Sequence, residues 1–132
     1  TRLRERIDAH PVILADVDVK HSAPLASESY EAETGADEVE RGLADGVVVT
    51  GRRTGKATDL DAVRAARERR AAAGIDVPIL VGSGVTAATV ADTLEVADGA
   101  IVGTALKVDG ETANPVSVDR VERLVDAADA VR

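Results

Sequence analysis

Val81-Gly82-Ser83-Gly84-Val85-Thr86 and, one unit later, Ile101-Val102-Gly103-Thr104-Ala105 decide how this chain folds. In each, a run of aliphatic residues stops at a glycine where a strand should hand over to the next element. Working outward, four runs rich in Val and Ile stand out: Val12 to Val19, Gly46 to Thr50, Pro78 to Gly82 and Gly99 to Gly103. They lack strict polar and apolar alternation, the pattern of strands in a parallel sheet covered on both faces. Helical patterns lie between and after them, over Ser29 to Ala44, Asp59 to Ala73, Ala87 to Val96 and Ser117 to Val131. Thr86 and Ser117 suit N-caps and Gly74 suits a helix C-terminus. Strand and helix alternating four times predicts an α/β fold with parallel strands and outer helices. Such a series fits either an open doubly wound sheet or half of a (β/α)8 barrel, which needs about 250 residues to close.

The two glycine turns tip that choice toward the barrel. Glycine lets backbone approach a ligand closely, and unpaired N–H groups at such a turn attract an anion. Turns on adjacent strand ends predict one pocket, with Gly82, Ser83, Gly84, Gly103 and Thr104 as phosphate-binding candidates. This is the arrangement that many barrels build after strands seven and eight. Gly82-Ser83-Gly84-Val85-Thr86-Ala87 also fits a loose dinucleotide fingerprint, but the acid expected about 20 positions on, at the end of the next strand, is missing. Gly51-Arg52-Arg53-Thr54-Gly55-Lys56-Ala57 falls one residue short of a P-loop and has Ala57 where a magnesium-binding Ser or Thr is needed. Arg52, Arg53 and Lys56 remain candidates for a second anion contact, with plain surface charge as the alternative.

The first strand ends in Asp16-Val17-Asp18-Val19-Lys20-His21. At a period of two, Asp16, Asp18 and Lys20 share one face. Three ionisable groups suit the mouth of a barrel better than a dry core. Lys20 offers a cation or a Schiff-base amine, Asp16 and Asp18 a general acid or base, and His21 a loop donor. These four are the catalytic candidates. No metal site is assigned, because no spacing is diagnostic, although Asp16, Asp18 and His21 are ligand types that a divalent metal accepts. No cofactor is required by the sequence.

Composition narrows the partners. The net charge of −8 and the single aromatic, Tyr30, argue against nucleic acid, which needs cations and stacking rings. Cysteine is absent, so thiolate chemistry and disulfides are excluded. No run approaches the roughly 18 apolar residues of a membrane span. A cytoplasmic protein is the expectation. Thirteen Arg against three Lys, with 24 acids, resembles proteins of salt-loving microbes; an ordinary acidic cytosolic protein has the same look. The 132 residues contain no Met and open on what reads as the end of a helix. Residues 1–132 are therefore expected to form one partial domain of a longer chain. Pairing of two copies into a closed homo-oligomer is the alternative, since an isolated half would leave strand edges open.

The run Val12 to His21, the segment Gly42-Leu43-Ala44-Asp45-Gly46-Val47-Val48-Val49-Thr50-Gly51 with Thr54-Gly55, and the later segments Val81 to Thr86 and Ala97 to Lys107 together resemble the BtpA family. The resemblance covers almost the whole chain. It implies a TIM barrel of which this is the C-terminal half, strands five to eight. Lys20 and His21 match the family's motif, while Asp18 stands where members often carry His. Cyanobacterial members are tied to photosystem I accumulation as peripheral membrane proteins, and SgcQ-like members to sugar metabolism. The implied functions are thus an enzyme acting on a phosphorylated small molecule, by isomerisation, lysis or glycosyl transfer, or a non-catalytic biogenesis factor working through protein partners.

Overall fold

A computed structural model describes residues 6, 8–16, 43–50 and 59–131. Its strands β1 (Leu14–Asp16), β2 (Gly46–Val49), β3 (Ile79–Val81) and β4 (Gly99–Ala100) form one sheet in the order β1-β2-β3-β4, every pair parallel. That order decides between the two expected architectures. A doubly wound sheet reverses its strand order at a switch point, whereas strands laid down in sequence follow the wall of a barrel. The valine runs become strands as expected, and one more rung follows β3 and β4, with the Gly82 N–H on the Val49 carbonyl at 2.9 Å and the Ile101 N–H on the Val81 carbonyl at 2.8 Å, before the chain leaves the sheet.

Three helices follow: α1 (Leu60–Ala72), α2 (Val90–Val96) and α3 (Val118–Asp129). Asp59 caps α1, its side chain accepting the Asp61 N–H at 2.9 Å. Beyond the α1 C-cap, Gly74 takes φ 68° and ends the helix as anticipated. The second helix begins three residues later than its sequence pattern suggests. Thr86 and Thr89 account for this: the Thr89 hydroxyl accepts the Thr86 N–H at 3.0 Å, and the Thr89 N–H returns to the Thr86 carbonyl at 3.1 Å. This local turn competes with helix. The helical pattern over Ser29 to Ala44 lies largely outside the described residues.

Successive residues of β2 and β3 face opposite ways. Val47, Val49, Ile79 and Val81 pack outward with Val63, Val85, Val90 and Ala97 into the main core, and Val63 is fully buried. The other face carries Leu14, Asp16, Val48, Leu80, Gly82 and Ile101. Leu14 and Ile101, near the two edges of that face, remain 41% and 46% exposed. The first face is buried throughout, whereas the second is buried at its centre, where Val48 is 6% exposed, and exposed toward its edges.

Strand heights are set by a device that occurs twice. Asp45 Oδ2 accepts the Ile13 N–H at 2.7 Å while the Asp45 N–H donates to the Ile13 carbonyl at 2.8 Å. Asp98 Oδ2 accepts the Ile79 N–H at 2.8 Å while the Asp98 N–H donates to the Ile79 carbonyl at 2.9 Å. A glycine follows each acid because a side chain there would collide: a Cβ on Gly46 would lie 2.8 Å from Leu14 Cδ2, and one on Gly99 would lie 2.9 Å from Leu80 Cδ2. Ala44-Asp45-Gly46 and Ala97-Asp98-Gly99 are therefore the same lock, closing β1 on β2 and β3 on β4.

At the second lock Arg70 of α1 adds charge. Its Nη1 lies 2.8 Å from Asp98 Oδ2 and 2.7 Å from the Val77 carbonyl. Burial pushes the Asp98 carboxyl up, but the Ile79 N–H and the Arg70 guanidinium, helped by Arg67, hold it below the usual carboxylate value.

Candidate functional site

The chain after β3 must clear β2 closely. A Cβ on Gly82 would fall 2.6 Å from Val48 Cγ1 and 2.7 Å from Thr50 Oγ1, so no larger residue fits without movement. Two residues on, Gly84 has φ 72°, a left-handed conformation costly for other residues. These two glycines throw the loop outward over the sheet's C-terminal edge.

After β4 the backbone turns at Gly103 into two short 3-10 turns, Thr104–Leu106 and Val108–Gly110, then returns through a bridge of Lys107 to Val116. Asp109 and Gly110, at φ 56° and 71°, make the reversal. The excursion delivers α3 alongside the two glycine loops.

Loops and helix border a half-open cavity of about 600 Å³. Gly82, Ser83, Gly84, Gly103 and Thr104, the whole expected phosphate set, line it together. Among the described residues, no acceptor is found for the N–H groups of Gly84, Val85, Gly103 and Thr104. Gly84 is half-buried and Val85 buried, and such backbone donors are seldom left so, whereas Gly103 and Thr104 are exposed. By contrast Thr86 has its N–H occupied by Thr89. The donors thus come from the loops themselves, and the short α2 is set back behind a turn.

Two residues of this wall were not singled out from the sequence. Arg120 and Arg123 of α3 reach the same cavity. Arg120 Nη1 donates to the Ala105 carbonyl at 3.2 Å, beside Thr104, and Arg123 Nε donates to the Asp119 carbonyl at 3.1 Å. Neither has a carboxylate within ion-pair distance among the described residues, whereas Arg64 and Arg70 of α1 have theirs at 2.6 and 2.8 Å. Their spacing of three on an amphipathic helix was the available signal.

Of the catalytic candidates, Asp16 is described. It ends β1 with Oδ2 accepting from the buried Thr50 hydroxyl at 2.7 Å. Because Thr50 also crowds Gly82, the Asp16 carboxylate and the glycine edge are linked through one side chain. Asp18, Lys20 and His21, and the anion candidates Arg52, Arg53 and Lys56, lie outside the described residues. Among the described residues no three His, Cys, Asp or Glu side chains gather as a metal site, and no helix is long and apolar enough to cross a membrane.

Sequential parallel strand order and loop placement at one sheet edge define half of a (β/α)8 barrel. Among solved structures the chain is similar to N-(5'-phosphoribosyl)anthranilate isomerase from Pyrococcus furiosus, a TIM barrel, with TM-score 0.62, covering 98% of this chain and 56% of that one at 19% identity. The chain belongs to the BtpA family, whose model matches residues 1–130. It is 40% identical over 130 residues to an uncharacterized protein of Thermococcus kodakarensis, covering 98% of this chain and 47% of that protein. With the photosystem I biogenesis protein BtpA of Synechocystis it shares 33% identity over 126 residues, 96% of this chain and 42% of that one. The chain spans about half the length of these relatives. They come from a Thermococcus and a cyanobacterium, and lend no support to the salt-adapted source that composition suggested.

Proposed function

We propose that this chain forms strands five to eight of a BtpA-family barrel, and that its glycine-bearing edge binds the phosphate of a small phosphorylated molecule, a sugar phosphate or nucleotide. The observation carrying this reading is the convergence of two glycine loops, with four unpartnered N–H groups, on one cavity. Such a donor set suits an oxyanion, because the sheltered N–H groups of Gly84 and Val85 find there the acceptor they lack and those of Gly103 and Thr104 exchange water for it. The neighbour of similar fold is named for a phosphoribosyl substrate, which agrees with the reading but is a property of that enzyme.

As an enzyme, the protein would hold phosphate at this edge and place the rest of the substrate over the strand ends. There Asp16, steadied by Thr50, and the candidates Asp18, Lys20 and His21 would meet the reacting atoms. Isomerisation, lysis and glycosyl transfer all use an acid or base set against an anchored phosphate. A second reading, an assembly factor acting through protein partners at a membrane surface, is favoured by the name of the Synechocystis relative.

A thermal-shift screen of the full-length protein separates them. Sugar phosphates and nucleotides, tested against their unphosphorylated counterparts, should raise Tm in a phosphate-dependent way; a ligand at 100 times Kd stabilises by about 2.7 kcal/mol. Gly103→Asp should abolish the shift while leaving the unliganded Tm nearly unchanged, since nothing lies within 4 Å of a Cβ built there. No shift with any phosphate compound, together with a co-purifying partner, would transfer the reading to the assembly factor.

A further inference from the structure

The phosphate reading does not say which phosphates the cavity takes. We infer that Arg120 and Arg123 make it selective for terminal phosphate monoesters over phosphodiesters, an inference that rests on the phosphate reading itself.

The charge pattern is the first ground. Among the described residues Arg64 and Arg70 have a carboxylate at ion-pair distance, whereas Arg6, Arg67, Arg69, Lys107, Arg120 and Arg123 do not. Of these unpaired cations among the described residues, Arg120 and Arg123 alone line the cavity. The acids beside them on the helix, Asp119 and Glu122, are not among the lining residues.

Position is the second ground. Arg120 is fastened to the Ala105 carbonyl, one residue from the unpartnered Thr104 N–H, so its guanidinium and that donor serve the same region. Arg123, one turn further along, uses only Nε internally and keeps its two terminal nitrogens for a ligand. Four backbone donors and two guanidinium groups exceed what one or two oxygens can use. A monoester presents three terminal oxygens and close to two charges, whereas a diester presents two oxygens and one charge. The second charge interacts with both arginines and counts for more at the half-buried Arg120 than at the exposed Arg123.

The test is titration calorimetry of the full-length protein at pH 8 with methyl phosphate and dimethyl phosphate, in wild type, Arg120→Gln, Arg123→Gln and Arg123→Lys. Wild type should bind methyl phosphate at least about tenfold tighter than dimethyl phosphate. Each glutamine variant should bring the two esters close together, and Arg123→Lys should retain most of the discrimination. Equal binding of the two esters by wild type, or discrimination that survives both glutamine changes, overturns the inference and leaves the phosphate reading standing. Binding of neither ester, by a wild type with its normal unfolding transition, removes the phosphate reading and this inference together.

Discussion

Replacing Asp98 by Ala would remove the acceptor shared by Ile79 N–H and Arg70. The Ile79 donor sits on a residue 1% exposed, so solvent reaches it poorly, and Arg70 loses its only carboxylate partner among the described residues. Hydrogen bonds to a charged group contribute about 1.5–3 kcal/mol each. The pair is not fully sheltered, with side-chain exposures of 22% for Arg70 and 35% for Asp98, so solvent screening lowers the Arg70 share. A net loss of about 2 kcal/mol follows, mostly from the orphaned N–H. Urea unfolding of the full-length protein should show this as a lower midpoint at unchanged slope. Asp61→Ala supplies the control: its bond to Arg64 is short but both side chains are exposed, and exposed pairs contribute about 0–1 kcal/mol. The sign with pH is also set. Since the folded carboxyl is held below its unfolded value, its contribution is present above the unfolded value and fades as pH falls through the folded one. Asp98→Asn should flatten that acid limb. An Asp98→Ala variant as stable as Asp61→Ala would refute the idea that this acid locks β3 to β4.

Two further substitutions test the packing. Gly82→Ala should destabilise by about 1–3 kcal/mol, because its Cβ would meet Val48 and Thr50 at 2.6 and 2.7 Å, while Gly103→Ala should cost less than about 1 kcal/mol; equal midpoints for the two in urea would contradict the account of the glycine edge. Val63→Ala, at the fully buried contact between α1 and the sheet, should lower stability by about 2 kcal/mol, read as a fall in Tm, and a smaller change would mean that α1 is less central to the core.

The strands and the parallel order were legible because Val and Ile recur in short unalternated runs, which burial on two faces demands. Strand lengths were less so. Ile101 and Val102 look as strand-like as Gly99 and Ala100, but Ile101 makes only one further bond, to the Val81 carbonyl, before the chain turns at Gly103. The start of α2 was misplaced because Thr86 looks like an N-cap, whereas Thr89 takes that position and binds back to Thr86. Of the site, the glycines were visible as punctuation at strand ends. The arginines were not, since their approach to the cavity depends on the reversal at Asp109 and Gly110, which carries no hydrophobic period. Nor did the sequence reveal why Asp45-Gly46 and Asp98-Gly99 match. Their likeness becomes physical only when each acid is seen to grip the backbone of the preceding strand.

Those twin grips join the two ends of the sheet. A strand advances about 3.3 Å per residue and alternates its faces, so a slip of one residue would carry every side chain above it to the wrong side. Asp98 lies at the opposite end of β4 from Gly103, and Ile79 at the opposite end of β3 from Gly82. The acid is not among the residues lining the cavity, yet by fixing β3 against β4 it sets the heights at which the two glycine loops leave the sheet. A carboxylate at the floor of the barrel thus calibrates the aperture at its mouth.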